Sequence, residues 1–150
     1  MPLELNSIAP DFTLPSTDGR AFSLEADAKG KALIIYFYPK DFTTGCTAEA
    51  CEFRDSHSVF KDLDIPVYGI SKDNIESHLK FREAYKLPFS LLSDETGKVA
   101  KLYKASVPIL GITRRISYLL DKRHRIAGIY ENFFNGTAHI KEMINSINSI

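Results

Sequence analysis

A near-continuous apolar run in the first third of the chain constrains the fold more than any other feature. Residues 32–38 read Ala-Leu-Ile-Ile-Tyr-Phe-Tyr, a segment rich in β-branched and aromatic side chains and without a charge. A short run that is apolar at every position predicts a strand buried on both faces, in the middle of a sheet that helices cover. Pro39 ends the run, because proline has no N–H to donate to a neighbouring strand.

The pattern changes from strand to helix a few residues later. Cys46, Ala50, Phe53, His57 and Phe60 recur at helical spacing and predict one face of a helix. Cys46 therefore comes at the start of that helix, where backbone N–H groups lack intrahelical partners and the helix dipole favours a thiolate. The sequence thus predicts a nucleophilic thiol at a strand-to-helix junction.

The rest of the chain alternates between strand and helix patterns. Asp18-Gly19 lies between two short β-prone segments and predicts an N-terminal hairpin. Further strands are predicted at 65–70, 116–120 and 126–130, and further helices at 73–86, 97–103 and from about 137 onward. Asp73 and Glu76 have the spacing of a capping box at the start of the first of these helices.

This order of elements predicts the fold class. Alternating βαβ units followed by an antiparallel hairpin and a closing helix are typical of an α/β, thioredoxin-like fold. We expect a central mixed sheet with helices on both faces and an N-terminal β-hairpin extension. The length of 150 residues fits one domain spanning 1–150.

Composition excludes several classes of protein. Lys and Arg together number 19, as do Asp and Glu, so there is no basic excess that would bind nucleic acid or an anionic membrane. The N-terminus lacks the basic and then apolar segments of a secretory signal, and the run at 32–38 is too short to span a bilayer. We expect a cytoplasmic protein, in which two cysteines do not form a permanent disulfide.

Five blocks of sequence resemble one family in the right order. The longest block, residues 38–55, reads Y-P-K-D-F-T-T-G-C-T-A-E-A-C-E-F-R-D. The others are A-P-D-F at 9–12, G-I-S at 69–71, L-L-S-D-E at 91–95 and R-I-S-Y-L-L-D at 115–121. Together they resemble the peroxiredoxins, AhpC/TSA-like peroxidases of thioredoxin fold. The closest resemblance is to the bacterioferritin comigratory protein, or peroxiredoxin Q, subfamily, and it covers nearly the whole chain.

The resemblance implies a thiol-dependent peroxidase that needs no cofactor and serves antioxidant defence. Cys46 would attack hydrogen peroxide or an organic hydroperoxide and become a sulfenic acid. Cys51 would then form an internal disulfide with Cys46, which thioredoxin or a similar dithiol would reduce. Five residues along an intact helix advance about 7.5 Å, too far for a disulfide, so the helix would have to unwind. The alternative is that Cys51 is a core residue and Cys46 acts alone.

The resemblance also implies roles for other residues. Thr43 would accept the peroxide proton and Arg115 would stabilise the thiolate and the breaking O–O bond. Pro39, Gly45 and Glu49 would complete the substrate-binding site, Pro39 by shielding the thiolate and Glu49 by orienting the arginine. Each has a plainer alternative: Thr43 as a helix N-cap, Pro39 as a strand end and Glu49 as a charge favourable to the helix dipole.

Two adjacent arginines compete for the site. Arg114 and Arg115 precede the strand predicted at 116–120, and neighbouring side chains of an extended segment point to opposite faces. Only one of them is expected to reach Cys46, and the register of the resembled motif favours Arg115.

Other candidate signals carry no function. The four histidines have no metal-ligand spacing, and His57 is expected to be a hydrogen-bonded core residue. The basic run at 122–125 is predicted to be an exposed face of a hairpin turn. No phosphate-binding glycine motif occurs, so neither a metal nor a nucleotide is expected. The oligomeric state is expected to be a monomer or a weak homodimer.

Two other functions compete with a peroxidase. A peroxide sensor would oxidise the same thiol and use the unwound helix to display a surface to a partner, and turnover with a dithiol distinguishes it from a peroxidase. An inactive relative would keep only the fold, but Pro39, Thr43, Cys46 and Arg115 together argue against it. Thr44 stands where the resembled subfamily has proline, which should loosen the turn before Cys46.

Overall fold

A mixed sheet of five strands forms the centre of the molecule in the computed structural model, which describes residues 2–131 and 136–148. Its strands are β3 (Leu33–Phe37), β4 (Val67–Ser71), β5 (Ser90–Ser93), β6 (Ile116–Leu120) and β7 (Ile126–Glu131). Two further strands, β1 (Thr13–Pro15) and β2 (Ala21–Ser23), form a separate hairpin. The helices are α1 (Leu24–Asp27), α2 (Thr44–Asp55), α3 (His57–Asp62), α4 (Ile75–Tyr85), α5 (Lys98–Leu102) and α6 (Gly136–Asn148).

Strand β3 occupies the middle of the sheet, whose order is β5-β4-β3-β6-β7. It pairs parallel to β4 and antiparallel to β6, and Phe37 is the partner of Ile70 on one side and of Ile116 on the other. The loop after β3 and the residue before β6 therefore meet at the same edge of the sheet. That edge is where Cys46 and Arg115 come together.

Apolar side chains fill both faces of the sheet. Successive residues of a strand point to opposite faces, and all five residues of β3 are buried. Tyr36 lies in one core with Phe53 of α2 and Phe81 of α4, whereas Phe37 lies in the other with Tyr103. The predicted thioredoxin-like arrangement with a mixed sheet, helices and an N-terminal hairpin (β1 and β2) is confirmed.

Local predictions differ from the structure in four places, the first being helix α1, because no helix was predicted between the hairpin and β3. Strand β5 was not predicted, because only two of its four residues are apolar and no alternation marks it. The helix predicted through Phe60 is divided at Ser56 into α2 and α3. Helix α4 is capped by Asn74 rather than Asp73, since the Asn74 side chain accepts from the Ser77 amide at 2.8 Å.

No helix within residues 2–131 and 136–148 is long and apolar enough to cross a membrane.

Candidate active site

Cys46 lies in the first turn of α2 and is almost completely buried, with 1% of its surface exposed. The helix follows Thr43, whose backbone is extended, and its first intrahelical bond runs from the Thr47 amide to the Thr43 carbonyl at 2.9 Å. The backbone amides before Thr47 have no intrahelical carbonyl partner. They carry the positive end of the helix dipole, in the turn that contains Cys46. The N-terminal turn of a helix favours negatively charged groups in general.

The guanidinium of Arg115 contacts both Cys46 and Glu49. Its Nη2 lies 3.3 Å from Cys46 Sγ, and its Nη1 lies 3.1 Å from Glu49 Oε1. The side chains of Arg115 and Glu49 are 14% and 1% exposed, so the arrangement is largely screened from water. A cation held against the sulfur in this way makes a charge-assisted hydrogen bond to a thiolate.

The neighbouring arginine points elsewhere. Arg114 Nη2 lies 3.6 Å from Glu131 Oε1, and about a third of each side chain is exposed. Residues 114 and 115 thus face opposite sides of the extended segment that leads into β6.

Gly45 leaves the space that the guanidinium occupies. A Cβ built on Gly45 would lie 3.0 Å from Arg115 Nη2, closer than side chains ordinarily approach. A larger residue at this position would push the guanidinium or the start of α2 aside.

Glu49 is a buried acid with an unusual proton affinity. Burial raises the pKa of its carboxyl from the ordinary 4.5 to about 8, although the adjacent Arg115 guanidinium pulls in the opposite direction. Its second oxygen, Oε2, has no hydrogen-bond partner among the described residues. Below pH 8 the neutral acid therefore predominates, and it orients Arg115 without cancelling the charge that faces Cys46.

Thr43 and Pro39 lie in the loop before the helix. The Thr43 hydroxyl is exposed and donates to the Lys40 carbonyl at 2.9 Å, and its side chain makes no capping bond to α2. The lone pairs of its oxygen remain to accept a proton from a substrate. Pro39 is half-buried and directly follows the buried Tyr38.

Cys51 lies on the same continuous helix as Cys46. Both cysteines are free thiols, and Cys51 is half-buried. Because α2 runs unbroken from Thr44 to Asp55, the two Cα atoms are separated by an axial rise of about 7.5 Å. A disulfide between them would require part of α2 to unwind.

Comparison with known proteins identifies the family of this chain. A model of the AhpC/TSA family matches residues 5–129. The chain belongs to the AhpC/TSA family.

Curated relatives narrow the resemblance within that family. The chain is 46% identical over 145 residues to a chloroplastic peroxiredoxin Q of Oryza sativa subsp. japonica, covering 96% of this chain and 66% of the rice protein. A chloroplastic peroxiredoxin Q of Sedum lineare is 44% identical, covering 96% of this chain and 77% of its own length. A protein of Coxiella burnetii described as a candidate peroxiredoxin bcp is 39% identical and is covered completely. The chain thus spans slightly less than two thirds of the rice protein.

Solved structures give the same assignment. Peroxidoxin BcpB from Mycobacterium tuberculosis superposes with a TM-score of 0.90 at 28% identity, over 99% of this chain and 98% of its own. The bacterioferritin comigratory protein of Xanthomonas campestris, described for its alkyl peroxide reduction activity, gives a TM-score of 0.84 at 25% identity. It covers 98% of this chain and 96% of its own. The predicted resemblance to the peroxiredoxin Q and bcp subfamily is confirmed.

A buried polar cluster beside the peroxiredoxin loop was missed by the sequence analysis. Asp41 Oδ2 lies 2.7 Å from His78 Nδ1, and the Asp41 amide donates to Asp73 Oδ2 at 2.8 Å. The ligand atoms of these three residues lie within 4.8 Å of one another, a spacing that could hold a metal ion. The three residues are already hydrogen-bonded to one another, however, so we interpret the cluster as an internal hydrogen-bond network.

Two predictions about histidines were wrong. His57 is only half-buried at the start of α3, and His78 and His124 are the buried ones among the three histidines whose burial the structure describes. His124 also interrupts the basic run at 122–125, whose other three residues are exposed as predicted. Its Nε2 lies 2.7 Å from the Ala28 carbonyl. Helical spacing with Phe81, three residues later on the buried face of α4, is the one signal that could have revealed His78.

Proposed function

We propose that this chain is a thiol peroxidase that reduces hydrogen peroxide and organic hydroperoxides through Cys46. Cys51 completes an internal disulfide, and thioredoxin or a similar dithiol recycles the enzyme. One observation carries the proposal: the Arg115 guanidinium lies 3.3 Å from a buried sulfur at the start of a helix. The alkyl peroxide reduction activity described for the X. campestris relative supports the choice of substrate class.

The reaction begins with the Cys46 thiolate. Its sulfur attacks the terminal oxygen of the peroxide, an S–O bond forms as the O–O bond breaks, and the leaving alkoxide or hydroxide takes up a proton. The sulfur is thereby oxidised to a sulfenic acid and the peroxide is reduced to an alcohol or water. Arg115 stabilises both the thiolate and the negative charge that develops on the oxygens.

The second half of the cycle uses Cys51. Its thiol attacks the sulfenic sulfur, an S–S bond forms, and the sulfenic oxygen leaves as water. A dithiol reductant then exchanges with this disulfide, so that both cysteines return as thiols and the reductant leaves as its own disulfide. Formation of the bond requires unwinding in the first turns of α2, an opening that helix ends undergo at modest cost.

The remaining site residues act on the substrate or on Arg115. Thr43 accepts a hydrogen bond from the peroxide O–H, because its own O–H donates to the Lys40 carbonyl. Pro39 shields the thiolate from water, and Gly45 admits the guanidinium. Glu49 fixes the orientation of Arg115 from the buried side.

Location and assembly are part of the proposal. A cytoplasmic location is supported by the bacterial relative that the chain covers completely, whereas the plant relatives are named as chloroplastic. We propose a monomer or a weak homodimer, with no nucleic acid or membrane partner, since positive and negative side chains are balanced.

The test is intact mass and free-thiol count after one equivalent of hydrogen peroxide, in wild type and Cys51→Ser. The proposal predicts loss of two hydrogen atoms and both thiols in wild type, and a trappable sulfenic acid in Cys51→Ser. A sulfenic acid that persists in wild type with Cys51 still free would leave a one-cysteine peroxidase. No oxidation of Cys46 would reject the peroxidase, and oxidation without repeated turnover on thioredoxin would favour a sensor.

A further inference from the structure

The loop between β3 and α2, residues 38–43, carries one buried acid among exposed residues. Lys40, Phe42 and Thr43 are exposed, whereas Asp41 is 3% exposed. Burying a carboxyl group costs free energy unless hydrogen bonds compensate for the lost water. The position of Asp41 therefore depends on the partners that surround it.

Asp41 is bound from three sides. The Tyr38 hydroxyl donates to Oδ1 at 2.6 Å, and Ser77 Oγ and His78 Nδ1 lie 2.9 and 2.7 Å from Oδ2. Its backbone amide donates to Asp73 Oδ2 at 2.8 Å. The middle of the loop is thereby attached to the end of β3, to α4 and to the segment between β4 and α4.

His78 connects this carboxyl group to the central sheet. Its side chain is completely buried, and its Nε2 lies 2.9 Å from the Leu92 carbonyl in β5. A carbonyl oxygen can only accept, so Nε2 carries a proton and Nδ1 faces Asp41. The 2.7 Å separation of Nδ1 and Oδ2 is that of a hydrogen bond, which joins the two side chains.

The backbone after Asp41 turns sharply. Phe42 has a φ of 65°, a left-handed conformation that a residue with a side chain adopts only when its surroundings impose it. The Phe42 ring packs edge-on against Phe81 of α4, with centroids 5.1 Å apart. The buried Asp41 and this ring contact together hold the turn that presents Thr43 to the start of α2.

We propose that Asp41 and His78 are positioning residues for peroxide reduction, an inference that rests on the proposed function. They hold Pro39 and Thr43 in the geometry that binds the peroxide. The hydrogen bonds that do this attach the loop to α4 and β5, not to α2. When α2 unwinds to let Cys51 react, the contacts of Arg115 with Cys46 and Glu49 separate. The bonds of Asp41 lie outside the unwinding segment, so the loop keeps its place for the next substrate.

The test compares two buried histidines in a Cys51→Ser background, where only Cys46 can react. His78→Leu removes the connection to Asp41. His124→Leu is the matched control, because it also removes a buried histidine bond, to Ala28, in the turn between β6 and β7. That turn lies beside the start of β3, at the end of the sheet opposite Cys46. Thermal midpoint, oxidation by hydrogen peroxide and alkylation by iodoacetamide are measured for each.

We expect both variants to have lower thermal midpoints. Only His78→Leu is expected to slow peroxide oxidation, by roughly ten- to a hundredfold, because misplacing substrate-binding groups by about 1 Å has effects of that size. Alkylation of Cys46 should change by less than about threefold in both, because Arg115 still faces the sulfur. Loss of peroxide rate without loss of alkylation is a change that general destabilisation would not produce.

Three results would overturn the proposal. His78→Leu could oxidise at the parent rate, both histidine variants could slow equally, or alkylation could fall as much as oxidation. If His78→Leu does not fold, Ser77→Ala and Tyr38→Phe each remove one bond to Asp41. Both should then slow oxidation by roughly two- to tenfold, in keeping with one lost hydrogen bond, and parent rates in both would overturn the proposal. Failure of the parent Cys51→Ser protein to react with peroxide would instead reject the proposed function.

Discussion

The loop before Cys46 and the helix that contains it are held in different ways. The β3–α2 loop is fixed by a buried network that reaches Tyr38 at the end of β3 and His78 on α4. The first turns of α2 are held by the hydrogen bond between Arg115 and Glu49 and by the packing of Ala50 and Phe53 in the core. The first set of contacts stays intact if the helix opens, whereas the second must break.

The difference shows how one site can bind a substrate and also change shape. In the proposed cycle, the partners of the peroxide lie on the loop and on Arg115, which precedes β6. A disulfide between Cys46 and Cys51 would require part of α2 to unwind. Stability is rarely uniform across a structure, and segments that move tend to be those with the fewest independent attachments.

Removing the cation that contacts the start of α2 should have the largest effect. Arg115→Ala is expected to lower the second-order rate constant for Cys46 oxidation by about 10²–10³-fold, the usual effect of losing one donor to a developing anion. Stopped-flow measurement with hydrogen peroxide tests this. The control is Arg114→Ala, which should change the rate by less than about fivefold, since a half-exposed ion pair is worth at most about 1 kcal/mol. Equal losses in both variants would contradict the assignment.

A side chain at Gly45, beside the Arg115 guanidinium, should slow Cys46 oxidation while stabilising α2. Gly45→Ala places a Cβ 3.0 Å from Arg115 Nη2, and we expect Cys46 oxidation to slow by roughly tenfold as the guanidinium shifts. The substitution should also stabilise α2 by about 1 kcal/mol, because alanine has the higher helix propensity. Thr44→Ala is the control, because it introduces alanine at the preceding position of the same helix turn. An unchanged rate in Gly45→Ala would mean that the guanidinium adapts.

Glu49 should make stability depend on pH. Its folded-state pKa of about 8 lies above the ordinary 4.5, so the folded protein holds a proton that the unfolded chain has released. The stabilisation is fully present below pH 4.5 and is lost as the pH rises toward 8, by up to about 1.4 kcal/mol per pH unit. Glu49→Gln should flatten that slope.

Urea unfolding at pH 5, 6.5 and 8 checks this prediction. These pH values roughly span the interval between the unfolded and folded pKa values of Glu49. Glu76→Gln is the control, because the Glu76 side chain is exposed and pairs with the likewise exposed Lys80 at 3.4 Å. The prediction is wrong if Glu49→Gln keeps the slope of the wild type.

The smallest effect on rate should come from a proline at the start of α2, which restricts the backbone there. Thr44 is the first residue of α2, and Thr43 has the extended backbone that precedes a proline, with φ −79° and ψ 153°. Thr44→Pro should stabilise the wound helix by about 0.4–1 kcal/mol and slow disulfide formation roughly two- to fivefold. Alkylation time courses after a peroxide pulse measure this, with Thr44→Ala as control. Faster disulfide formation would refute the expected role of unwinding.

The sheet and the helix carrying Cys46 were predictable because their signals are local. An uncharged apolar run can only be a buried segment, and Pro39 and the spacing from Cys46 to Phe53 mark where strand gives way to helix. The division at Ser56 was not predictable, because Phe60 continues the apolar spacing across it.

The supporting network was not predictable, because its members come from distant parts of the chain. Asp41 and His78 are 37 residues apart, and each is an ordinary polar residue in its own segment. Only the packing of α4 over the sheet brings them together. The direction of the Thr43 hydroxyl, toward Lys40, likewise depends on the folded turn.

The antiparallel pairing of β3 with β6 also has a consequence for protein synthesis. Cys46 and the arginine that contacts it are separated by 69 residues, and they meet only when β6 joins the sheet. A ribosome-bound chain that ends before residue 115 already contains both cysteines but not this cation. We expect its thiols to react with peroxide as slowly as those of an ordinary unfolded peptide, so that oxidation of the nascent protein is deferred until β6 has joined the sheet.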